Sequence, residues 1–356
     1  MSTLQIGLAI AGGLVLAGIV AYNTWSARKN QPKRATLETA PEAEIREGTD
    51  TNLLAERQEP RFENDGFGDA SLASLSTMLA IEKRPGLDAL IDVIAPVMVD
   101  SVVSGEAALA AMPATRRAGS KPFGVEGLNA ANGEWELPAA GQRYTAFQCG
   151  VQLANRVGAL NQIEYSEFVM KAQAFADAIG GEPEFPEMLD EVARARELDQ
   201  FASAHDAQLS FTLRAINTAW SPGYVQQSAA RLGFVAGVIP GRMVLPASMA
   251  GSAPLLGLAF DTQAAMAEDP EQTALREITL SLDVPQVSRI EQPFARMCES
   301  ALSLARGMDG AIIDDNGKPI SAEAMDVIAS ELEQLYDTLE QRDLSAGSVL
   351  ARRLFS

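Results

Sequence analysis

The amino-terminal segment is the feature that most constrains the architecture of this chain. Residues 4–22 read LQIGLAIAGGLVLAGIVAY and contain no charged side chain. A helical run of this length matches the hydrocarbon thickness of a bilayer. Tyr22 and Trp25 follow where aromatic side chains favour the membrane interface. The sequence therefore predicts a single transmembrane helix within residues 1–25.

The charges that flank this segment predict its orientation. Residues 1–3 carry no basic side chain, whereas a signal peptide would carry positive charge before its apolar run and a small-residue cleavage site after it. By the positive-inside rule, the amino terminus lies outside and everything after residue 25 is cytoplasmic. The basic residues that set this topology are Arg28, Lys29, Lys33 and Arg34.

Small residues recur at every fourth position of the apolar segment, at Ala9, Gly13, Ala17 and Ala21. This spacing places them on one face of a helix, where they allow close packing of two helices. Weak self-association through this face is one of the partners that the sequence predicts.

Residues 26–80 predict a linker. They begin with the basic juxtamembrane residues and continue as ETAPEAEIREGTDTNLLAERQEPRFENDGFGDAS, which sustains no apolar periodicity. Charged and turn-forming segments of this kind bury too little apolar surface to fold alone. We expect a flexible acidic tether with an r.m.s. reach on the order of 40 Å.

The composition excludes several classes of function. A net charge of −19 disfavours nucleic acid as a partner. The single histidine, His205, and the two cysteines, Cys149 and Cys298, are too few and too scattered for a zinc site or a His-dependent nucleophile. Neither GxxxxGK[ST] nor GxGxxG occurs. The sequence therefore predicts no metal, no cofactor and no enzymatic activity.

From about residue 86 the order of predicted elements repeats. Residues 86–204 and 205–342 each read as strand, helix, three strands, helix, helix, and residues 343–356 read as a tail. This order predicts an α+β protein with two split β-α-β domains, each an antiparallel sheet with helices on one face.

The segment RGMDGAIIDDNGKPISAEAMDVIASELEQL, residues 306–335, contains two adjacent carboxylates, Asp314 and Asp315. An EF-hand loop is excluded because a lysine and a proline occupy ligand and glycine positions. A catalytic pair is disfavoured because adjacent residues on a strand point to opposite faces. We predict a strand over 311–313, a turn, and a helix with Ser321 as its N-cap.

The second unit resembles the C-terminal domain of the ZipA family of bacterial cell-division proteins. The resemblance rests on LREITLSLDVP, SALSLARGMDG and AIIDDNGKPISAEAMDVIASELEQ, with ARLGFVAGVI and SAPLLGLAF upstream. Over residues 205–342 the similarity lies in the order of strands and helices. Over residues 1–35 it lies in the architecture, a single span followed by a basic juxtamembrane segment. Residues 86–204 are then interpreted as a diverged second copy of the domain.

The resemblance implies an adaptor that binds the C-terminal peptide of FtsZ and tethers the division ring to the inner membrane. It places the protein at the division site as a single-pass protein with a periplasmic amino terminus and cytoplasmic domains. An adaptor for a different envelope protein, without binding of the FtsZ tail, is the alternative.

The family's peptide lies in a groove on the open face of the sheet. Carried over strand by strand with the period-two rule, this implies groove residues Ser210, Thr212, Ile239, Met243, Leu255, Asp261, Ser281 and Asp283. This groove is more polar than the family's. Three explanations stay open: a register wrong by one, basic peptide residues that meet the aspartates, or an apolar surface supplied by the first domain.

Overall fold

The computed structural model describes Lys33 and residues 86–356, except residues 250, 270–272 and 315–316. The predicted transmembrane helix and nearly all of the predicted linker lie outside these residues. Within the described part, no helix combines the length and the apolar character needed to cross a membrane. The predictions for residues 1–25 and 26–80 therefore stay predictions.

The first half of the described chain forms an antiparallel sheet in which β5 and β1 are central, with the order β2-β3-β5-β1-β8 and β4 paired to β3. A short hairpin of β6 and β7 follows the sheet. The strands are β1 (Asp92–Ser104), β2 (Arg117–Ala118), β3 (Lys121–Asn129), β4 (Trp135–Glu136), β5 (Arg143–Gln152), β6 (Ala154–Asn155), β7 (Gly158–Ala159) and β8 (Gly181–Pro183).

Helices cover one face of this sheet. They are α1 (Gly105–Ala111), α2 (Gln162–Ile179) and α3 (Met188–His205). A capping box fixes the start of α2, because the Asn161 side chain accepts from the Glu164 N–H and the Glu164 carboxylate accepts from the Asn161 N–H. Phe175 of α2 meets Phe147 of β5 edge to face, with ring centroids 5.4 Å apart. Among the described residues, no helix covers the opposite face of the sheet.

The second half forms another antiparallel sheet, with the strand order β10-β11-β12-β13-β9-β14. The strands are β9 (Gln208–Ala215), β10 (Val235–Ala236), β11 (Arg242–Leu245), β12 (Leu256–Ala259), β13 (Glu277–Asp283) and β14 (Gly310–Ile313). The helices are α4 (Pro222–Ala230), α5 (Thr262–Ala265), α6 (Pro293–Met308), α7 (Ala322–Glu340) and α8 (Val349–Leu354). The α+β class with antiparallel sheets and helices is therefore confirmed.

Residues of β9 and β13 alternate between the buried and the open face of the sheet, as the period-two rule predicts. Phe211 and Leu213 of β9 are buried, as are Ile278, Leu280 and Leu282 of β13. Helix α6 packs on this buried face. The intervening polar residues point to the other side.

The strand, turn and helix predicted within residues 306–335 are present. β14 ends at Ile313, and the Asp314 N–H donates to the Lys318 carbonyl across a turn, at 2.8 Å. The Ser321 hydroxyl oxygen accepts from the Ala324 N–H at 3.2 Å and caps α7. The turn interpretation of this acidic segment is therefore confirmed for its described residues.

The prediction of a tail at residues 343–356 is wrong. This segment contains α8 and buries Leu344, Ala351, Leu354 and Phe355. The Gln286 side-chain amide donates to the Phe355 carbonyl at 2.7 Å, and that of Gln152 donates to the Arg353 carbonyl at 2.9 Å. The carboxyl-terminal segment thus packs against residues of both halves.

The two sheets belong to one compact unit, which includes Lys33 and every described residue from 86 onward. α3 ends at His205 and β9 begins at Gln208, so each sheet comes from a continuous segment. The division into domains 86–204 and 205–342 stays a prediction, because both halves belong to the same compact unit.

Candidate functional site

The open face of the second sheet carries polar side chains along β9 and β13. Ser210 of β9 lies opposite Ser281 of β13, and Thr212 lies opposite Thr279. The next strands continue these rows with Gly257, Ala259, Val244 and Arg242. The middle of this face offers hydroxyl groups to a peptide, and its apolar area lies toward one edge, where Val244 pairs with Val235, which is 49% exposed.

Two of the predicted groove residues lie elsewhere. Met243 is 4% exposed, because it pairs with Leu258 on the helix-covered side and leaves Val244 on the open face. Leu255 is 3% exposed and precedes the first residue of β12, outside the strand alternation. Their assignment to the groove is therefore wrong, and the open face loses two of its three apolar candidates.

The remaining predicted residues lie at the ends of strands. Ile239 is exposed in the turn before β11. Asp261 caps α5, because its carboxylate accepts from the Gln263 N–H at 2.9 Å. Asp283, at the end of β13, is already paired with Arg156 at 2.8 Å. A basic peptide residue would have to compete with Arg156 for this carboxylate.

Arg156 joins the two halves of the chain. It donates to both carboxylate oxygens of Asp206, at 2.8 and 2.6 Å, and to both of Asp283, at 2.8 Å each. These hydrogen bonds raise the pKa of Arg156 further above its ordinary value. A planar guanidinium can hold two carboxylates in this way, whereas a lysine cannot.

We expect Arg156→Ala to lower the free energy of unfolding by about 1–2 kcal/mol, because it removes two bidentate contacts that are only partly exposed. Arg214→Ala is the matched control, since Arg214 forms one ion pair with Glu277 in which both side chains are 49% exposed. Urea unfolding followed by circular dichroism measures both. Equal losses in the two variants would contradict the bridging role of Arg156.

The open face of the first sheet has a different character. Met98 of β1, Ala146 of β5, Leu128 of β3 and Trp135 of β4 lie opposite one another in successive strands. We call these four residues the first-sheet row. Met98 is 64% exposed and Trp135 is 38% exposed. With strands about 4.8 Å apart, the row is an apolar stripe across four strands.

Along the strand direction, the apolar surface of the first-sheet row ends on both sides. On one side, the Gln148 amide donates to the Glu126 carboxylate at 2.7 Å, and this carboxylate also accepts from the Leu87 N–H at 3.0 Å. Leu87 then covers Gly150, where a Cβ atom would lie 2.6 Å from its side chain. On the other side, β1 departs from regular pairing after Met98.

The sequence carried one signal for this face. In IAPVMVD the residues at both parities are apolar, so the strand presents apolar side chains to both faces of the sheet. Ile94, Pro96 and Met98 face away from the helices, whereas Val93, Ala95 and Val97 are fully buried. The first-sheet row could not be identified from the sequence, because its identification needs the pairing register of the strands.

A cavity of about 480 Å³ lies on the helix side of the second half, between α6 and α7. Its lining includes Phe294, Cys298, Met325, Leu332 and Tyr336. Burial raises the pKa of Tyr336 to about 12, and its hydroxyl has no hydrogen-bond partner among the described residues. This cavity lies on the helix-covered side of the second sheet, opposite to its open face.

His205, Cys149 and Asp314 each lie in a structural environment. The His205 ring nitrogen Nδ1 lies 2.7 Å from the Phe201 carbonyl, one turn back along α3. Burial raises the pKa of the Cys149 thiol to about 12, which suppresses the reactive thiolate. The Asp314 carboxylate accepts from the Lys318 N–H inside the turn. Among the described residues, no three metal-binding side chains cluster.

Residues 263–331 match the family model described as ZipA, C-terminal FtsZ-binding domain. The matched segment contains β13, α6, β14 and the first half of α7. The resemblance to the ZipA family is therefore shown for this part of the chain. No curated protein matches the chain.

Proposed function

We propose that this chain is a membrane-anchored cell-division adaptor that binds the C-terminal peptide of FtsZ and tethers the division ring to the inner membrane. The observation that carries the proposal is the match of residues 263–331 to an FtsZ-binding domain. The protein would act by binding alone, without catalysis, cofactor or nucleic acid.

The sheet architecture supports a peptide-binding role. An antiparallel sheet that is covered by helices on one side leaves its other face open to a partner. Both sheets of this protein have such a face. On the second sheet, the proposed contacts are Ser210, Thr212 and Ser281, with Ile239, Asp261 and Asp283 at the strand ends. Their polar character favours weak and salt-sensitive binding.

We further propose that the first half is a diverged copy of the second. The central strand orders correspond, with β3-β5-β1-β8 in the first sheet and β12-β13-β9-β14 in the second. In both halves a helix precedes the last strand of this path, and another helix follows it. The first half lies outside the matched residues, so its binding properties need their own argument.

Membrane attachment would come from residues 4–22, with Arg28, Lys29, Lys33 and Arg34 on the cytoplasmic side. Lys33 is the one described residue of this segment, and it binds the globular part. Its N–H donates to the Ala219 carbonyl at 2.7 Å, and its own carbonyl accepts from the Ser221 N–H at 2.9 Å.

This contact changes how the tether would work. Residues 23–32 span at most roughly 35 Å between the proposed membrane helix and Lys33. The globular part would then be held close to the membrane surface. A partner bound to it would stay within a shorter distance than a free tether of residues 26–80 allows.

A titration tests the proposed function. We expect a fluorescently labelled peptide from the C-terminus of FtsZ of the same organism to bind the full-length chain in lipid nanodiscs in a saturable manner. Fluorescence anisotropy measures the binding at low and at moderate salt. A peptide of the same composition in scrambled order is the control.

Absence of binding at high micromolar peptide would remove FtsZ-tail capture as the function. The alternative proposal, a single-span adaptor for a different envelope protein, would then stand. It shares the anchor and the open sheet faces with the first proposal and differs only in the partner.

A further inference from the structure

We infer that the first-sheet row is the surface that takes the apolar side chains of the partner peptide, so that the first half contributes the larger part of the affinity. This inference rests on the FtsZ-binding function proposed above. It concerns a part of the chain that lies outside the family match of residues 263–331.

The two open faces differ in what they can bury. Four aligned residues of the first-sheet row are all apolar, and its Met98 and Trp135 side chains are well exposed. The row that contains Thr212 on the second sheet is Ile313, Thr212, Thr279, Ala259 and Arg242, and its apolar end is inaccessible because Ile313 is only 5% exposed. Removal of apolar area from water drives most peptide association, so the first row gains more on binding.

Two glutamates beside the first-sheet row determine which peptide charge this surface favours. Glu182 of β8 lies opposite Met98, and the Glu184 N–H donates to the Pro96 carbonyl at 2.9 Å, which continues the pairing. By the period-two rule both glutamates lie on the open face beside the row. Both are exposed, and neither forms an ion pair with a described residue. These carboxylates are complementary to a basic side chain.

The occupant is therefore a short peptide with apolar side chains and a neighbouring lysine or arginine. From Glu182 to Trp135 the surface crosses five strands, a width of roughly 19 Å. This width fits an extended segment of about six residues or a helix of about thirteen. Aromatic and methionine side chains are well suited to such adaptable surfaces.

Met98→Lys tests the inference against a closely matched control. Met98 is 64% exposed on the open face, whereas Met170 is 65% exposed on α2, on the other side of the sheet. Both lysine variants add the same charge at an equally exposed methionine. We expect Met98→Lys to weaken binding of the FtsZ peptide by about tenfold or more, and Met170→Lys to leave it within about twofold.

Two further variants locate the binding. Thr212→Lys, on the second sheet, should weaken binding by no more than about threefold. Glu182→Gln combined with Glu184→Gln should reduce the salt dependence of binding. All proteins are full-length chains in nanodiscs, and their circular dichroism and thermal unfolding are compared with those of the wild type.

The outcomes separate this inference from the function on which it rests. Loss of binding in Met98→Lys alone supports the first-sheet row. Equal binding by Met98→Lys and Met170→Lys, with loss in Thr212→Lys, overturns the inference and leaves the FtsZ-binding function intact. No binding by the wild-type chain overturns the proposed function and the inference with it.

Discussion

Arg353→Ala is expected to lower the free energy of unfolding by about 3–5 kcal/mol, because it leaves a buried carboxylate without its charge partner. Asp92, at the start of β1, is 0% exposed. Arg353 of α8 donates to both of its oxygens, at 2.9 and 2.5 Å. The Asp88 N–H also donates to Asp92, at 2.8 Å, but a backbone amide carries no net charge.

The loss should depend on pH. Burial raises the pKa of Asp92, and the hydrogen bonds and charge of Arg353 oppose this rise. Without Arg353 the pKa of the native carboxyl lies still further above that of the unfolded chain. The native state then binds the proton more tightly than the unfolded state, so protonation favours folding. We expect the destabilisation to be greatest near neutral pH and to shrink as the pH falls.

Urea unfolding at neutral and mildly acidic pH measures this effect. Arg352→Ala is the control, since the neighbouring Arg352 lies at the surface and donates to the Gly251 carbonyl at 2.9 Å. Asp92→Asn combined with Arg353→Ala should recover part of the stability, because it removes the unpaired charge. A loss under about 1 kcal/mol in Arg353→Ala would mean that this pair behaves like an exposed salt bridge.

The contact between Asp92 and Arg353 also shows why the carboxyl-terminal segment was predicted as a tail. Its partners, Asp92 and Gln152, lie more than two hundred residues earlier in the chain. α8 itself covers only Val349–Leu354 and contains two arginines, which reads locally as a charged end. Burial created by distant partners leaves no local periodicity to detect.

Where one face of a strand is buried and the other is open, the local alternation of apolar and polar residues was enough to predict which side chains face the core. β9 and β13 were predicted with the correct faces because apolar and polar residues alternate along each of them. β11, RMVL, carries three apolar residues among four, so the alternation does not distinguish its faces and Met243 was placed on the wrong one. Short strands of this kind take their orientation from their neighbours.

The first-sheet row illustrates a second limit. Each of its residues is an ordinary apolar residue in the sequence, and Met98 and Ala146 are far apart along the chain. They become one surface only through the pairing of β1 with β5 and of β5 with β3. A sequence can therefore indicate that a sheet has an apolar open face, but the composition of each aligned row depends on the register.

The second large effect is expected at Trp220, which is fully buried before α4. Its indole N–H donates to the Met308 carbonyl at the end of α6, at 2.8 Å. Its backbone N–H and carbonyl both pair with Leu275, at 2.8 Å. The Lys33 ammonium donates to the same Met308 carbonyl at 2.9 Å. Trp220 therefore lies where the segment before β13, the end of α6 and Lys33 meet.

We expect Trp220→Ala to lower the free energy of unfolding by about 3–5 kcal/mol, since it leaves a large cavity that the surrounding elements can fill only partly. Trp135→Ala is the matched control, because Trp135 is 38% exposed and its removal opens no cavity. The free energy of unfolding of Trp135→Ala should stay within roughly 1 kcal/mol of the wild-type value. Urea unfolding followed by circular dichroism avoids reliance on the removed fluorophores.

Lys33→Ala separates the contribution of the indole packing from that of the Lys33 side chain. It removes the contacts of the ammonium group with the Met308 carbonyl and with Asp309, which lies 3.9 Å away. It leaves the two backbone hydrogen bonds of residue 33 and the buried ring in place. If the free energy of unfolding falls little in this variant and much in Trp220→Ala, the buried indole ring is the source of the stability. Losses of stability of equal size would instead mean that the Lys33 side chain is as important to the core of the second half as the indole ring.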